Sequence, residues 1–206
     1  MTPEERKGMI LQYSRDYFDG GPDTPGYSEY TDTWFWSPIT EIMLHLLGPL
    51  SVLDWGCAKG FLVQRFVDRG VSACGVDVSH YAISQAPEWF RKHRLRVING
   101  IQSHYGPGIF TAICSFETME HIPEEDIPAV LGEMKRISTR WWFGSIFLDC
   151  QEGHDPTHVT VRSREWWNEK FKAAGYQVRE DIVAVAQEYP VFRTLGFQLF
   201  CYEKIT

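Results

Sequence analysis

Val52-Leu53-Asp54-Trp55-Gly56-Cys57-Ala58-Lys59-Gly60 is the stretch that decides the fold. It joins a short apolar run, Ser51–Asp54, to the segment Phe61–Arg69, where Leu62, Val63, Phe66 and Val67 recur at helical spacing before Gly70 stops the pattern. A strand that turns at once into a helix is the opening of a β-α-β unit. In an open parallel sheet, that turn lies at the carboxyl edge, where ligands bind. Gly56 and Gly60 take side chains out of the turn, so a ligand can lie directly on the backbone and the helix can start close to the strand.

Outward from this turn the alternation continues. Val71–Val76 is the next apolar run, and Ser79 is a fitting N-cap for a helix through Ala82, Ile83 and Ala86 that halts before Pro87. Further strands are predicted at Leu95–Ile98, Phe110–Ser115 and Trp141–Phe147, with a helix from about Glu124 to Ile137 whose first turn is acidic. Ser163 caps a helix through Trp166, Trp167 and Phe171, closed by Gly175. Two final strands near Ile182–Glu188 and Phe197–Glu203, with no helix between them, must pair antiparallel. The expected architecture is α/β: a doubly wound, mostly parallel seven-stranded sheet with an antiparallel last strand.

Residues 1–48 have a different character, aromatic and rich in Pro and Gly, with Tyr13, Tyr17, Phe18, Tyr27, Tyr30, Trp34, Phe35 and Trp36 around Gly20-Gly21-Pro22-Asp23. One helix is expected from about Ile39 to Leu47, ended by Gly48-Pro49. The segment reads as a cover on a core of residues 49–206, all one domain. Its aromatics serve either as ordinary core or as a lid that excludes water from the site.

Composition narrows the function. With 206 residues and 44% hydrophobic content, the chain suits a single well-packed domain. A formal net charge of −7 argues against a protein whose main task is gripping nucleic acid, which is bound chiefly by Lys and Arg. Five scattered cysteines without a Cys-x-x-Cys pair suit reduced thiols. The amino terminus lacks the apolar region of a secretory signal, and no stretch approaches the ~18 apolar residues of a membrane span. A cytoplasmic location is expected.

The chemistry starts from two carboxylates. The second strand ends in Asp77, 23 positions after Asp54, where an acidic residue can accept both hydroxyls of a ribose. Such a pair points to an adenosine-bearing cofactor. A dinucleotide fingerprint reads G-x-G-x-x-G, and here Ala58 and Phe61 occupy its second and third glycine positions. A phosphate-binding loop lacks its Gly-Lys-Ser/Thr. What remains is a nucleoside without phosphates whose ammonium and sulfonium suit the charge of Asp54.

These residues resemble the glycine-rich motif of the class I S-adenosylmethionine-dependent methyltransferases, hydrophobic-Leu-Asp-x-Gly-Cys-Gly-x-Gly. Gly75-Val76-Asp77-Val78-Ser79 is similar to the ribose-binding strand end of that family. Ile113-Cys114-Ser115-Phe116-Glu117-Thr118-Met119-Glu120-His121-Ile122-Pro123 is similar to its fourth strand end, and the likeness covers roughly residues 50–200. The resemblance implies S-adenosyl-L-methionine as cofactor, with S-adenosyl-L-homocysteine as product. It places Asp54 and the turn Gly56, Cys57, Ala58 and Gly60 at the methionine end, Asp77 at the ribose and Val78 at the adenine, with Phe116 and Glu117 closing the other side. Tyr17 would reach in from the cover. Two departures stand out. Ala58 replaces the middle glycine, at little cost if its φ stays negative. Asn99-Gly100-Ile101-Gln102 lacks the acidic residue that often meets the adenine amino group, so that contact falls to the backbone of Gly100 or Ile101, or to Gln102.

Two histidines are candidates for the acceptor end. His121 either takes a proton from an acceptor hydroxyl or amine, or caps the helix after Pro123. His158 lies beyond the fifth strand, at the edge where an acceptor would enter. His154, Asp155 and His158 suggest a metal triad, yet Pro156 prevents a regular helical display, and no metal is expected. The expected partner is a small-molecule acceptor, with no nucleic acid and no membrane. A macromolecular acceptor, a non-catalytic cofactor-binding module and an oxidoreductase stay open at this point.

Overall fold

A computed structural model of the chain describes residues 8, 11–20, 34–149 and 155–205. Tyr27, Tyr30, Cys150 and His154, with the turn Gly21-Pro22-Asp23, lie outside the described residues.

A short helix α1 (Arg15–Asp19) precedes α2 (Trp36–Leu47), which starts three residues before the sequence expectation and ends at Gly48, φ +54, a left-handed cap that glycine adopts without strain. β1 (Ser51–Trp55), α3 (Phe61–Asp68), β2 (Ser72–Asp77) and α4 (His80–Gln85) follow as anticipated, with the Ser79 hydroxyl accepting from the Ala82 amide. Beyond Pro87 comes a helix not foreseen as separate, α5 (Glu88–Arg94), then β3 (Leu95–Val97), β4 (Phe110–Phe116), α6 (Ile127–Ile137) and β5 (Ser138–Ser145). The chain closes through α7 (Arg164–Ala173), β6 (Tyr176–Val178), α8 (Glu180–Gln187), α9 (Pro190–Leu195) and β7 (Leu199–Lys204).

The seven strands are ordered β3-β2-β1-β4-β5-β7-β6. The first five are parallel, and β7 runs antiparallel to both its neighbours. The closing hairpin differs from expectation. Ile182–Glu188 is helix, not strand: Ile182, Val183 and Ala186 are buried at i, i+1 and i+4, and Glu180 and Asp181 sit in the first turn, where the dipole favours acids. A run of β-branched and apolar residues this short does not distinguish the two periods. The sixth strand is the three-residue β6, and two helices separate it from β7.

Alternating side chains feed two cores, one on each face. Trp141, Phe143, Leu199 and Cys201 point to the face covered by α2, α3, α8 and α9. Trp142, Phe200 and Tyr202 point to the other, where Phe171 of α7 stacks on Tyr202 at 3.8 Å. Buried rings of this size each hold about 3–5 kcal/mol against truncation to alanine. Strand order reverses between β1 and β4, which opens a crevice at their carboxyl ends, and both candidate ends of the site fall there.

Candidate active site

The turn after β1 is fastened to the end of β2. Gly56 and Cys57 amides both donate to the Val76 carbonyl, at 2.8 and 3.0 Å. Asp77 then uses both carboxylate oxygens, accepting from the Ala58 amide at 2.8 Å and the Ser79 amide at 2.7 Å. Each oxygen keeps a second lone-pair direction, so this structural task leaves room for ribose hydroxyls. Gly56 has φ +85, and a methyl group there would fall 2.3 Å from the Thr118 hydroxyl, so the turn and the end of β4 touch. Gly60, at φ +82, would place a methyl 2.8 Å from Leu95 Cδ1.

Ala58 departs from expectation: its φ is +46, the left-handed region that an L side chain enters at a cost of about 1–2 kcal/mol. The middle position of the motif keeps the glycine conformation without the glycine.

Trp36, Asp54, Gly56, Cys57, Phe61, Leu62 and Phe116 line a cleft of about 280 Å³, partly open to solvent. Asp54 is 5% exposed, accepts from the Cys114 thiol at 3.6 Å and makes no ion pair among the described residues. Burial lifts its carboxyl to about 7. A buried carboxylate without a cation beside it fits the ammonium of a methionine moiety. Gly100 has φ +88, and a methyl there would lie 3.5 Å from Val78 Cγ1, so the loop after β3 lies against the segment after β2. The Ile101 and Gln102 amides both donate to the Asn99 side chain at 3.0 Å, which removes them as free donors, and the Ile101 side chain packs on the second core.

Residues 13–19 pack against the turn after β1 and the start of α4. Tyr13, Tyr17 and Tyr81 pack on a small cluster of Phe18, Ala58 and Ala82, while the Tyr13 carbonyl accepts from the Ser79 hydroxyl at 2.6 Å. Lys59 pairs with Asp19 at 3.0 Å, and Tyr81 donates to the same carboxylate.

Three segments meet beyond the end of β4. β4 ends at Phe116, whose ring meets Trp36 and Phe143; Glu117 follows at φ +48, its amide on the Ser145 carbonyl at 3.2 Å. The turn Met119–His121 presents His121 to Tyr13 (ring centroids 5.8 Å) and Tyr17 (6.4 Å). His158 arrives from the segment after β5 and lies edge to face with His121 at 4.6 Å, its other neighbour being Phe147, also at 4.6 Å. His121 Nδ1 contacts the Thr157 carbonyl at 3.1 Å and hydroxyl at 2.9 Å, and that hydroxyl donates to Asp155 at 2.6 Å. A carbonyl only accepts, so Nδ1 carries the proton and Nε2 the lone pair. Burial, reinforced by His158, lowers the His121 pKa to about 4, which keeps it neutral at pH 7.

Of the residues singled out in the sequence, Asp54, Gly56, Cys57 and Phe116 line the cleft; Ala58, Gly60, Asp77, Val78 and Glu117 stand beside it at the carboxyl ends of β1, β2 and β4; Tyr17, His121 and His158 form a separate group of rings, and Ile101 packs on the second core. Sequence reasoning missed Glu120, Thr157 and Phe147. Glu120 stood inside the quoted fourth-strand motif, but nothing in the sequence marked it as buried. The other two act only once the segment after β5 folds back.

Comparison with known proteins agrees with this geometry. The profile of a family described as "Methyltransferase domain" matches residues 52–140, which run from β1 into β5 and hold the turn, Asp77 and His121. Over these residues the chain is similar to a methyltransferase domain. A curated relative, a ubiquinone biosynthesis O-methyltransferase of Azoarcus sp. (strain BH72), is 27% identical over 120 residues, 48% of this chain and 51% of the relative. The chain thus aligns with about half the length of that relative. Among solved structures, 1,6-didemethyltoxoflavin-N1-methyltransferase of Burkholderia thailandensis, with bound 1,6-didemethyltoxoflavin and S-adenosylhomocysteine, superposes with a TM-score of 0.72 at 17% identity, covering 100% of this chain and 92% of that one. A SAM-dependent methyltransferase of Archaeoglobus fulgidus gives 0.64 at 14% identity, over 84% and 94%. Both show that the methyltransferase fold is shared. Among the described residues no helix is long and apolar enough to cross a membrane.

Proposed function

We propose that this chain moves a methyl group from S-adenosylmethionine to an oxygen or nitrogen of a small molecule, working as one domain whose residues 1–48 cover the site. The reading rests on one observation: His121 and His158, 37 positions apart, meet ring to ring beside Tyr13, which packs on the cluster holding Ala58 of the glycine turn. When bound, S-adenosylmethionine supplies an electrophilic methyl on sulfur.

The chain's own residues hold and orient. Asp54 would hold the ammonium, Asp77 the ribose, and Val78 one adenine face. Phe116, Glu117 and Tyr17 would close the sides, and the tyrosines of the cover exclude water. Neutral His121, fixed by Thr157, offers a lone pair to a proton on the acceptor, with His158 as the second candidate. Net charge −7 and the acceptors named for the relatives support a small metabolite over nucleic acid, and the scattered thiols support a cytoplasmic enzyme. The substrate class rests on analogy.

Thermal denaturation and mass-spectrometric detection of methylated products test the proposal. S-adenosylhomocysteine should raise Tm while NAD does not. With an active acceptor from a panel of hydroxylated and aminated metabolites, His121→Ala should lower kcat at least tenfold and leave S-adenosylhomocysteine affinity within threefold. A wild-type rate in that variant returns His121 to packing.

A further inference from the structure

We propose that Glu120, His121 and His158 form a binding site for a first-row divalent cation of the zinc type, beyond the end of β4. One donor atom from each lies within 4.8 Å of the others. The segments that carry them are bonded to each other. Val159 and Thr160 amides donate to the Glu120 carbonyl at 3.0 and 2.9 Å, and the Thr160 hydroxyl donates to the Ile122 carbonyl at 2.7 Å.

Glu120 is what points to a ligand. It is 0% exposed, and neither carboxylate oxygen completes a hydrogen bond, although its own amide and that of Phe147 face it. Other carboxylates lie near it: Glu117, whose Oε1 is also buried without a hydrogen-bond partner, and Asp155. Among the described residues, the basic group at ion-pair range is His158, with Nε2 3.9 Å from Glu120 Oε1. A buried polar group left unbonded costs about 1–3 kcal/mol, and native structures keep few. A positive ion between Glu120 and the imidazoles satisfies it.

The histidine side agrees. His121 places its Nδ1 proton on the Thr157 carbonyl, with Asp155 behind the Thr157 hydroxyl. An outer hydrogen bond of this type orients metal-ligating imidazoles. Two imidazoles and one carboxylate suit Zn²⁺ or Co²⁺ better than Mg²⁺ or Ca²⁺, which favour all-oxygen sets. Ligands about 2.0–2.2 Å from one zinc stand roughly 3.3 Å apart, so the 3.9 Å pair must close by about 0.6 Å, and a pair at the 4.8 Å limit of the group by about 1.5 Å, through side-chain rotation. The sequence reading expected no metal and weighed His154 with His158. The structure groups His158 with Glu120 and His121 instead. With the cation bound, the His121 lone pair is taken up by the metal and is no longer free to accept a proton. An acceptor hydroxyl held and acidified by the cation would then lose its proton to solvent, and only this use of the cation rests on the methyl-transfer reading.

The test uses the full chain, freed of metal by chelation and dialysis. Calorimetry with Zn²⁺, and visible d–d absorption with Co²⁺, should each report one equivalent bound, with Mg²⁺ at least tenfold weaker. His158→Ala and Glu120→Gln should each weaken Zn²⁺ at least a hundredfold, and Zn²⁺ should raise the Tm of the wild type but not of either variant. His93→Ala, which removes an exposed imidazole, should bind as the wild type does. If a variant fails to fold, the Co²⁺ spectrum of the wild type decides: bands of low-symmetry nitrogen and oxygen coordination support the site, and the spectrum of aqueous Co²⁺ overturns it. Absence of saturable Zn²⁺ binding, or binding that folded His158→Ala leaves intact, also overturns it. S-adenosylhomocysteine affinity in the same metal-free sample separates the two readings. Intact affinity without Zn²⁺ binding removes the cation alone, whereas lost affinity removes the methyl-transfer reading.

Discussion

At the cofactor end of the crevice, backbone makes the surface: Asp54, Gly56, Ala58 and Gly60 fall within seven consecutive residues, and one carboxylate, Asp77, fastens that turn through the Ala58 amide. At the acceptor end, side chains make it: His121 meets Thr157 across 36 positions and His158 across 37. The first arrangement is local, so any change of φ or added atom disturbs it. The second depends on two segments being held together, and single side chains there can change while the backbone stays. Substitutions at the first end should therefore act on S-adenosylhomocysteine affinity, and those at the second on turnover.

Asp77→Ala tests the first end most severely. It removes two ribose acceptors together with the bonds to Ala58 and Ser79. Hydrogen bonds to a charged group contribute about 1.5–3 kcal/mol each, so affinity for S-adenosylhomocysteine should fall at least a hundredfold by calorimetry, with a lower Tm. Asp77→Asn, which keeps one acceptor oxygen, should retain more of both. Unchanged affinity in Asp77→Ala would remove the ribose assignment and make the carboxylate purely a fastener of the turn.

The same contrast explains what was legible in the sequence. Glycines and acids at fixed spacing report backbone geometry, and so Asp54, Gly56, Gly60 and Asp77 could be placed before any coordinates. The β-α alternation was equally readable through β5, because each helix and strand there carries its own period or cap. Two kinds of information were missing. Ile182–Ala186 holds too few residues to separate helix from strand, and Tyr176–Val178 is too short to announce itself. The surroundings of His121 depend on where the segment after β5 returns, which no local pattern encodes. His158 was picked for its position past that strand, but its contact with His121 and Glu120 is a product of the fold.

Asp54 offers a test of intermediate size. Its carboxyl in the ligand-free protein stands near 7, against an ordinary value of 3.8, because burial disfavours the charged form. The folded protein therefore binds a proton that the unfolded chain has released between those values. This contribution to stability is fully present below about 3.8 and is lost as pH rises through about 7. A cofactor ammonium favours the ionised form, so binding expels that proton. Affinity for S-adenosylhomocysteine should rise by up to about tenfold per pH unit on approaching pH 7 and then level off. Asp54→Asn should flatten the profile at reduced affinity. A slope that persists in the variant assigns the proton to another group.

Ala58→Gly should have the smallest effect, for a reason that separates conformation from contact. Glycine relieves about 1–2 kcal/mol of strain at φ +46. Against this, the unfolded chain gains freedom worth about 0.4–1 kcal/mol, and one buried methyl, worth about 0.8 kcal/mol, leaves the cluster beneath Phe18 and Tyr13. The terms nearly cancel, so Tm should move by less than about 3 °C, and S-adenosylhomocysteine affinity should stay within threefold. What should change is the cover. Without the methyl beneath it, amides of residues 11–20 should exchange hydrogen several times faster, while those of β1 and β4 keep their wild-type rates. Unchanged exchange in residues 11–20 would mean that Lys59, Ser79 and Tyr81 hold the cover without help from this side chain, and that the alanine is tolerated in the turn rather than used by it.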